Sequence, residues 1–123
     1  MKSLSFNCRG LASLDKKLVL YILCLSERLG VLLLQETLGD RYLINKFLKN
    51  FLPDWVIFYL DVRRRLGGCS LGFNMRMIKV ANDWGGGGFL EVNISSSTLN
   101  IPLRVINIYV PCHNRGIYWE NLL

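Results

Sequence analysis

Four apolar residues in a row, Val31-Leu32-Leu33-Leu34, run straight into Gln35-Glu36-Thr37. The run reads as a buried strand. A strand covered on both faces tolerates no stray charge, so an acid at its carboxyl end marks a place where a fold can meet a ligand. The alternative is a strand that simply surfaces at its last residue and leaves Glu36 solvated.

The flanking sequence places this strand in a layered fold. Lys2 to Cys8 alternates as a strand does, with Leu4 and Phe6 on one face, and stops at the polar corner Asn7-Cys8-Arg9-Gly10. Ser13 is a plausible N-cap, and Leu14, Leu18, Ile22, Leu25 and Leu29 then follow helical spacing. Gly30 is placed to close that helix. Strand, helix and strand with short links make a parallel crossover unit.

A second helix is expected from Asp40 to about Phe51, with Leu43, Phe47 and Leu48 inside, Lys46 and Lys49 in water, and Pro53 ending it. Further strands are expected at Trp55–Leu60, Cys69–Met75, Met77–Ala81, Phe89–Ile94 and Leu103–Tyr109. Trp84-Gly85-Gly86-Gly87-Gly88 reads as a hairpin turn, since no helix or lysine follows to make it a phosphate loop. Crossover first and meander afterwards imply a mixed sheet with helices on one face.

Composition excludes several classes. With 123 residues, 51% apolar and 20% charged, the chain is a globular domain and not a disordered one. Its longest apolar run, Leu18 to Leu25, is too short to span a bilayer, and no targeting segment is read, so an intracellular (nuclear or cytoplasmic) setting is expected. Cys8, Cys24, Cys69 and Cys112 are widely spaced and suit buried thiols better than a disulfide framework or a zinc site. The net charge of +6 suits a polyanionic partner such as nucleic acid, and equally suits plain solubility.

Polar residues at strand ends converge along one edge of such a sheet. Three ends stand out: Asn7, Gln35 with Glu36, and Asn107 with Tyr109 before Pro111. An amide oxygen and a carboxylate are hard ligands suited to Mg²⁺, and a tyrosine hydroxyl can bond a phosphate oxygen. Taken singly, Asn7 could just as well cap its turn, and Tyr109 could be a core aromatic. Arg63-Arg64-Arg65 could neutralise a DNA backbone or be a solvated turn.

Together these segments resemble a known family. Ser5-Phe6-Asn7-Cys8-Arg9-Gly10, Leu33-Leu34-Gln35-Glu36-Thr37, Gly67-Gly68 before Leu71-Gly72-Phe73, and Asn107-Ile108-Tyr109-Val110-Pro111 occur in the order seen in the endonuclease/exonuclease/phosphatase superfamily. More narrowly, the chain resembles the amino-terminal endonuclease domain of plant LINE-type (non-LTR) retrotransposon polyproteins. The resemblance implies a DNase I-like α/β-sandwich, a Mg²⁺-dependent phosphodiesterase activity, and DNA as partner. By the same resemblance, Asn7 and Glu36 would hold or neighbour the metal and Tyr109 would contact the scissile phosphate.

The family's downstream Gly-Asp-x-Asn and Ser-Asp-His motifs have no counterpart before Leu123, and His113, the only histidine, cannot be assigned the closing role. Residues 1–123 are therefore expected to be a partial domain: an inactive endonuclease fragment binding Mg²⁺ weakly or not at all, a non-catalytic nucleic-acid-binding remnant, or a relic without function. The strands carrying Leu32, Leu34, Ile57, Ile106 and Ile108 are expected to be left partly uncovered, with self-association as the consequence.

Overall fold

The structure, a computed structural model, describes residues 1–38, 41–60, 68–86 and 89–108. Within them lie seven strands and two helices: β1 (Lys2–Asn7), α1 (Leu14–Ser26), β2 (Leu29–Gln35), α2 (Arg41–Phe51), β3 (Trp55–Leu60), β4 (Cys69–Asn74), β5 (Lys79–Gly86), β6 (Phe89–Ser95) and β7 (Leu103–Ile108). They form a four-stranded sheet in the order β1-β2-β4-β3 and a three-stranded sheet in the order β5-β6-β7.

The first sheet is mixed. β1 and β2 run parallel, as the crossover through α1 requires, while β4 pairs antiparallel with both β2 and β3. The second is an antiparallel meander. The mixed sheet with helices on one face is therefore present, and a second sheet covers its other face.

The all-apolar character of β2 follows from this layering. Leu32 and Leu34 sit in a core with Leu20, Cys24, Ile44, Phe47 and Leu48 of the helices. Val31, with Leu33 beside it, points the other way, into a core shared with Leu90, Val92 and Ile94 of β6. Both faces of β2 are thus dry, which is why it carries no polar residue before Gln35. The expectation that Leu32 and Leu34 lie partly uncovered is wrong: both are 1% exposed. It does hold for Ile106, exposed on the outer face of the second sheet.

β4 shows the same alternation. Cys69, Leu71 and Phe73 face the second sheet. On the helix side Gly72 leaves the space that Ile57 and Trp55 occupy; a Cβ there would lie 2.9 Å from Ile57 Cδ1.

α1 departs from the expected face. Ser13 is its N-cap, accepting a hydrogen bond from the Lys16 N–H, but Leu14, Leu18, Ile22 and Leu25 are exposed, whereas Leu20 and Cys24 are buried. The helix carries apolar residues on two sides, so spacing alone could not choose between them. Tertiary contacts choose: Tyr21 meets Phe51 edge-on at 5.3 Å, and Lys17 Nζ lies 4.9 Å over the Phe47 ring.

Leu29 and Gly30 belong to β2, not to the helix end. Glu27 is the C-cap, and Arg28, not a glycine, takes the left-handed position with φ 49°. α2 agrees with expectation in extent, with Phe47 and Leu48 buried and Lys46 and Lys49 exposed. Trp84, Gly85 and Gly86 are strand residues of β5 and not part of a turn, because β5 stays paired with β6 through Gly86↔Phe89.

Candidate functional site

Two chain corners meet at the carboxyl ends of β1 and β2. Asn7 and Gln35 are direct register partners there, and both point to the side of the sheet facing β7. Beyond them the backbones stay interlocked: Cys8 N–H donates to Gln35 O at 2.8 Å, Gly10 N–H to Glu36 O at 2.8 Å, and Leu11 N–H to Thr37 O at 3.0 Å. Such a ladder forces unusual backbone. Arg9, Gly10, Glu36 and Leu38 all have positive φ, with Glu36 at 52°. Left-handed conformation disfavours non-glycine residues, and it persists where surrounding contacts over-determine it.

Lys16 fastens the first corner from below. Its Nζ donates to Cys8 O at 2.8 Å, Gly10 O at 3.1 Å and Arg9 O at 3.2 Å. An ammonium has three donors, and all are used. In sequence Lys16 is only a charge in the first turn of a helix, with nothing to mark it as a clamp on the preceding corner. Asn7 Oδ1 accepts from the Arg9 N–H at 3.1 Å. Asn7 therefore does cap its turn, with one lone pair of Oδ1 left over.

β7 completes the edge. Asn107, 1% exposed, reaches across from the second sheet. Its Nδ2 donates to Ser70 O at 2.7 Å and Leu34 O at 3.0 Å, and its Oδ1 accepts from Gln35 Nε2 at 2.7 Å. Gln35 Nε2 also donates to Ser5 Oγ at 3.2 Å. Asn107 and Gln35 are thus bound to each other and to the scaffold. Thr37 Oγ1 and, on the helix side of β4, Ser70 Oγ are buried without a hydrogen-bond partner among the described residues. Gly68, at φ 47°, accepts at its carbonyl from the Thr37 N–H, and a Cβ on it would come within 2.9 Å of Thr37 Oγ1.

Glu36 is the one ionised group at the centre of this arrangement. It is half-buried, and among the described residues its carboxylate accepts no hydrogen bond and pairs with no cation. Its charge is felt next door. Burial pushes the Cys8 thiol up to about 11, with Lys16 opposing the rise and Glu36 adding to it. A half-buried carboxylate without a partner, beside an amide oxygen with a spare lone pair, fits a hard cation that keeps most of its own waters. Among the described residues no cluster of three acid, thiol or imidazole groups exists to hold a metal more fully.

The structure thus brings Asn7, Gln35, Glu36 and Asn107 to one edge. Tyr109, Arg63, Arg64, Arg65 and His113 lie outside the described residues.

No protein-family model and no curated protein matches the chain. Solved structures do. D. rerio TDP2 complexed with single-strand DNA product superposes with a TM-score of 0.74 at 16% identity, over 98% of this chain and 50% of that one. The endonuclease/exonuclease/phosphatase from Bacteroides vulgatus gives 0.64 at 12% identity, over 85% and 50%. The human Nocturnin catalytic domain with bound sulfate anion gives 0.69 at 13% identity, over 98% and 56%. The chain spans about half the length of these structures, and at such identities the likeness is one of fold: the endonuclease/exonuclease/phosphatase, or DNase I-like, α/β-sandwich. Among the described residues no helix is long and apolar enough to cross a membrane.

Proposed function

We propose, from the DNase I-like fold as premise, that residues 1–123 supply part of the site of a Mg²⁺-dependent phosphodiesterase acting on nucleic acid. The single observation that carries the reading is Glu36: a half-buried carboxylate with no partner among the described residues, at φ 52° and tied through its carbonyl to the Gly10 N–H, at the strand ends where Asn7 also lies. A bound Mg²⁺ would neutralise charge developing on a phosphate. Glu36 would be its carboxylate ligand, Asn7 Oδ1 would ligate it or bond one of its waters, and Tyr109 would contact the phosphate. Arg63, Arg64 and Arg65 would meet the backbone of DNA. One of the structural neighbours is a complex with single-strand DNA product and another holds a sulfate anion, which supports an anionic, nucleic-acid-type ligand for this fold.

The finer reading is an amino-terminal part of a LINE-type retrotransposon endonuclease. It rests on the motif order quoted above. A second reading, binding without cleavage, draws on the net charge of +6.

Plasmid nicking with Mg²⁺ tests the proposal. The 123-residue chain alone is expected not to nick. A chimera continuing into an intact relative's downstream motifs is expected to nick, and to lose at least a hundredfold in rate on Glu36→Ala. A chimera that nicks equally well without Glu36 would remove the basis of the assignment.

A further inference from the structure

A cleft of about 630 Å³ opens at the other end of the molecule, where β1 and β2 begin and the β4–β5 and β6–β7 connections turn. Lys2 lines it, five residues before Asn7 along β1, which places it roughly 17 Å from the corner described above. The two sites share no residue. We propose that this cleft binds a free mononucleotide, with its phosphate held between guanidinium groups and its base against a methionine wall.

Charge favours an anion. Lys2, Arg28 and Arg76 line the cleft against one carboxylate, Glu27. Lys2 neutralises Glu27 in a 2.8 Å pair and holds its carboxyl below the usual range. Arg76 pairs with Asp54 at 2.9 Å through Nε, and a guanidinium with five N–H donors is not used up by one carboxylate. The Arg28 guanidinium has no partner among the described residues.

Arg28 is also conformationally out of place. It occupies the left-handed position after the Glu27 C-cap, at φ 49°, where glycine or asparagine relieves strain. An L-residue there is strained, its Cβ crowding the following carbonyl oxygen. An arginine kept at that cost, with its charge unpaired over a cleft, is what a binding role requires and a capping role does not.

The remaining wall suits the rest of a nucleotide. In the turn 96–98, Ser96 Oγ and Thr98 Oγ1 lie 3.1 Å apart, and the Thr98 N–H donates to Ser96 Oγ at 3.3 Å. These hydroxyls can bond ribose or phosphate oxygens. Met77, 37% exposed, offers a polarisable thioether to an aromatic ring. The carboxyl end of α1 carries partial negative charge, so the phosphate seats toward Arg76 and the turn, with Arg28 reaching to it. A cleft of this volume lies in the range of small-molecule sites.

Arg28→Gly separates binding from folding, because glycine suits the backbone while removing the charge. Calorimetry and thermal melting of the full chain would use adenosine 5′-monophosphate, inorganic phosphate and adenosine as probes. The wild-type chain should bind the monophosphate, bind phosphate at least tenfold more weakly, and show no binding of adenosine. Arg28→Gly should melt higher than wild type without ligand, yet bind the monophosphate at least tenfold more weakly. Glu36→Ala should bind it as wild type does. The proposal fails if the wild type binds no monophosphate at millimolar concentration, if adenosine binds equally well, or if Arg28→Gly keeps full affinity. It fails also if Glu36→Ala abolishes binding, which would move the ligand to the opposite end.

Discussion

Gln35 Nε2 donates to Asn107 Oδ1 at 2.7 Å, joining two residues that lie 72 positions apart and on different sheets. Asn107 adds bonds to Leu34 O and Ser70 O, so one buried amide fixes β7 against β2 and β4 together. A polar group at such a place costs little only while every one of its bonds is made.

Asn107→Ala removes all three bonds that tie β7 to β2 and β4 and takes away the acceptor of Gln35 Nε2; it should cost about 2–4 kcal/mol. Gln35 is only half-buried, and Gln35→Ala should cost nearer about 1 kcal/mol. Urea unfolding of the two single variants and the double variant reads both figures and their coupling. Equal costs for the two single changes would mean that Asn107 is not the member holding the sheets.

Lys16→Met keeps the stem and removes the three donors to Cys8, Arg9 and Gly10. We expect a loss of about 1–3 kcal/mol. Hydrogen exchange should quicken at the Gly10 and Leu11 amides, which bond Glu36 O and Thr37 O. Unchanged exchange there would show that the corner holds its shape without the lysine.

Burial raises Cys8, Cys24 and Cys69 to about 11 each. In the unfolded chain a thiol ionises near 8.5. Below that pH both states are protonated and the thiols leave stability untouched; as pH rises toward 11 the unfolded state loses protons first and stability falls. The slope is up to about 1.4 kcal/mol per pH unit for each thiol. Unfolding free energies measured between pH 8 and 10.5 should show this decline, and Cys24→Ala should flatten it. A decline unaffected by that substitution would assign it to other groups.

How much of this could be read in advance depended on whether local pattern or distant contact decides an element. β3 was legible to the residue, because Trp55–Leu60 is dense in strand formers and bounded by turn residues. The burial of β2 on both faces, and the meeting of Asn7, Gln35, Glu36 and Asn107 at one edge, also followed from pattern and strand-end logic. The face of α1 did not. Two apolar sides compete in Leu14–Ser26, and Phe47, Phe51 and the Asn7 corner settle the choice from elsewhere in the chain. The left-handed backbone of Arg28 and Glu36 escaped for a related reason: nothing in the identity of an arginine or a glutamate announces it. Asn107 was singled out as a strand-end polar group, but its role as a clasp between sheets needed the register of β7.

The placing of β4 between β2 and β3 sets an order in time. As the chain leaves the ribosome, β1, α1 and β2 can assemble from neighbours, but β2 and β3 have no strand to join them until Cys69–Asn74 has emerged. Until then two apolar edges stand open, and the helix-side core around Leu34 and Phe47 has only part of its floor. Closing that gap is a long-range step with a large loop entropy behind it. The growing chain is therefore most exposed to wrong partners before its sixth strand-or-helix segment, β4, has emerged, and above all during the synthesis of the residues that precede it.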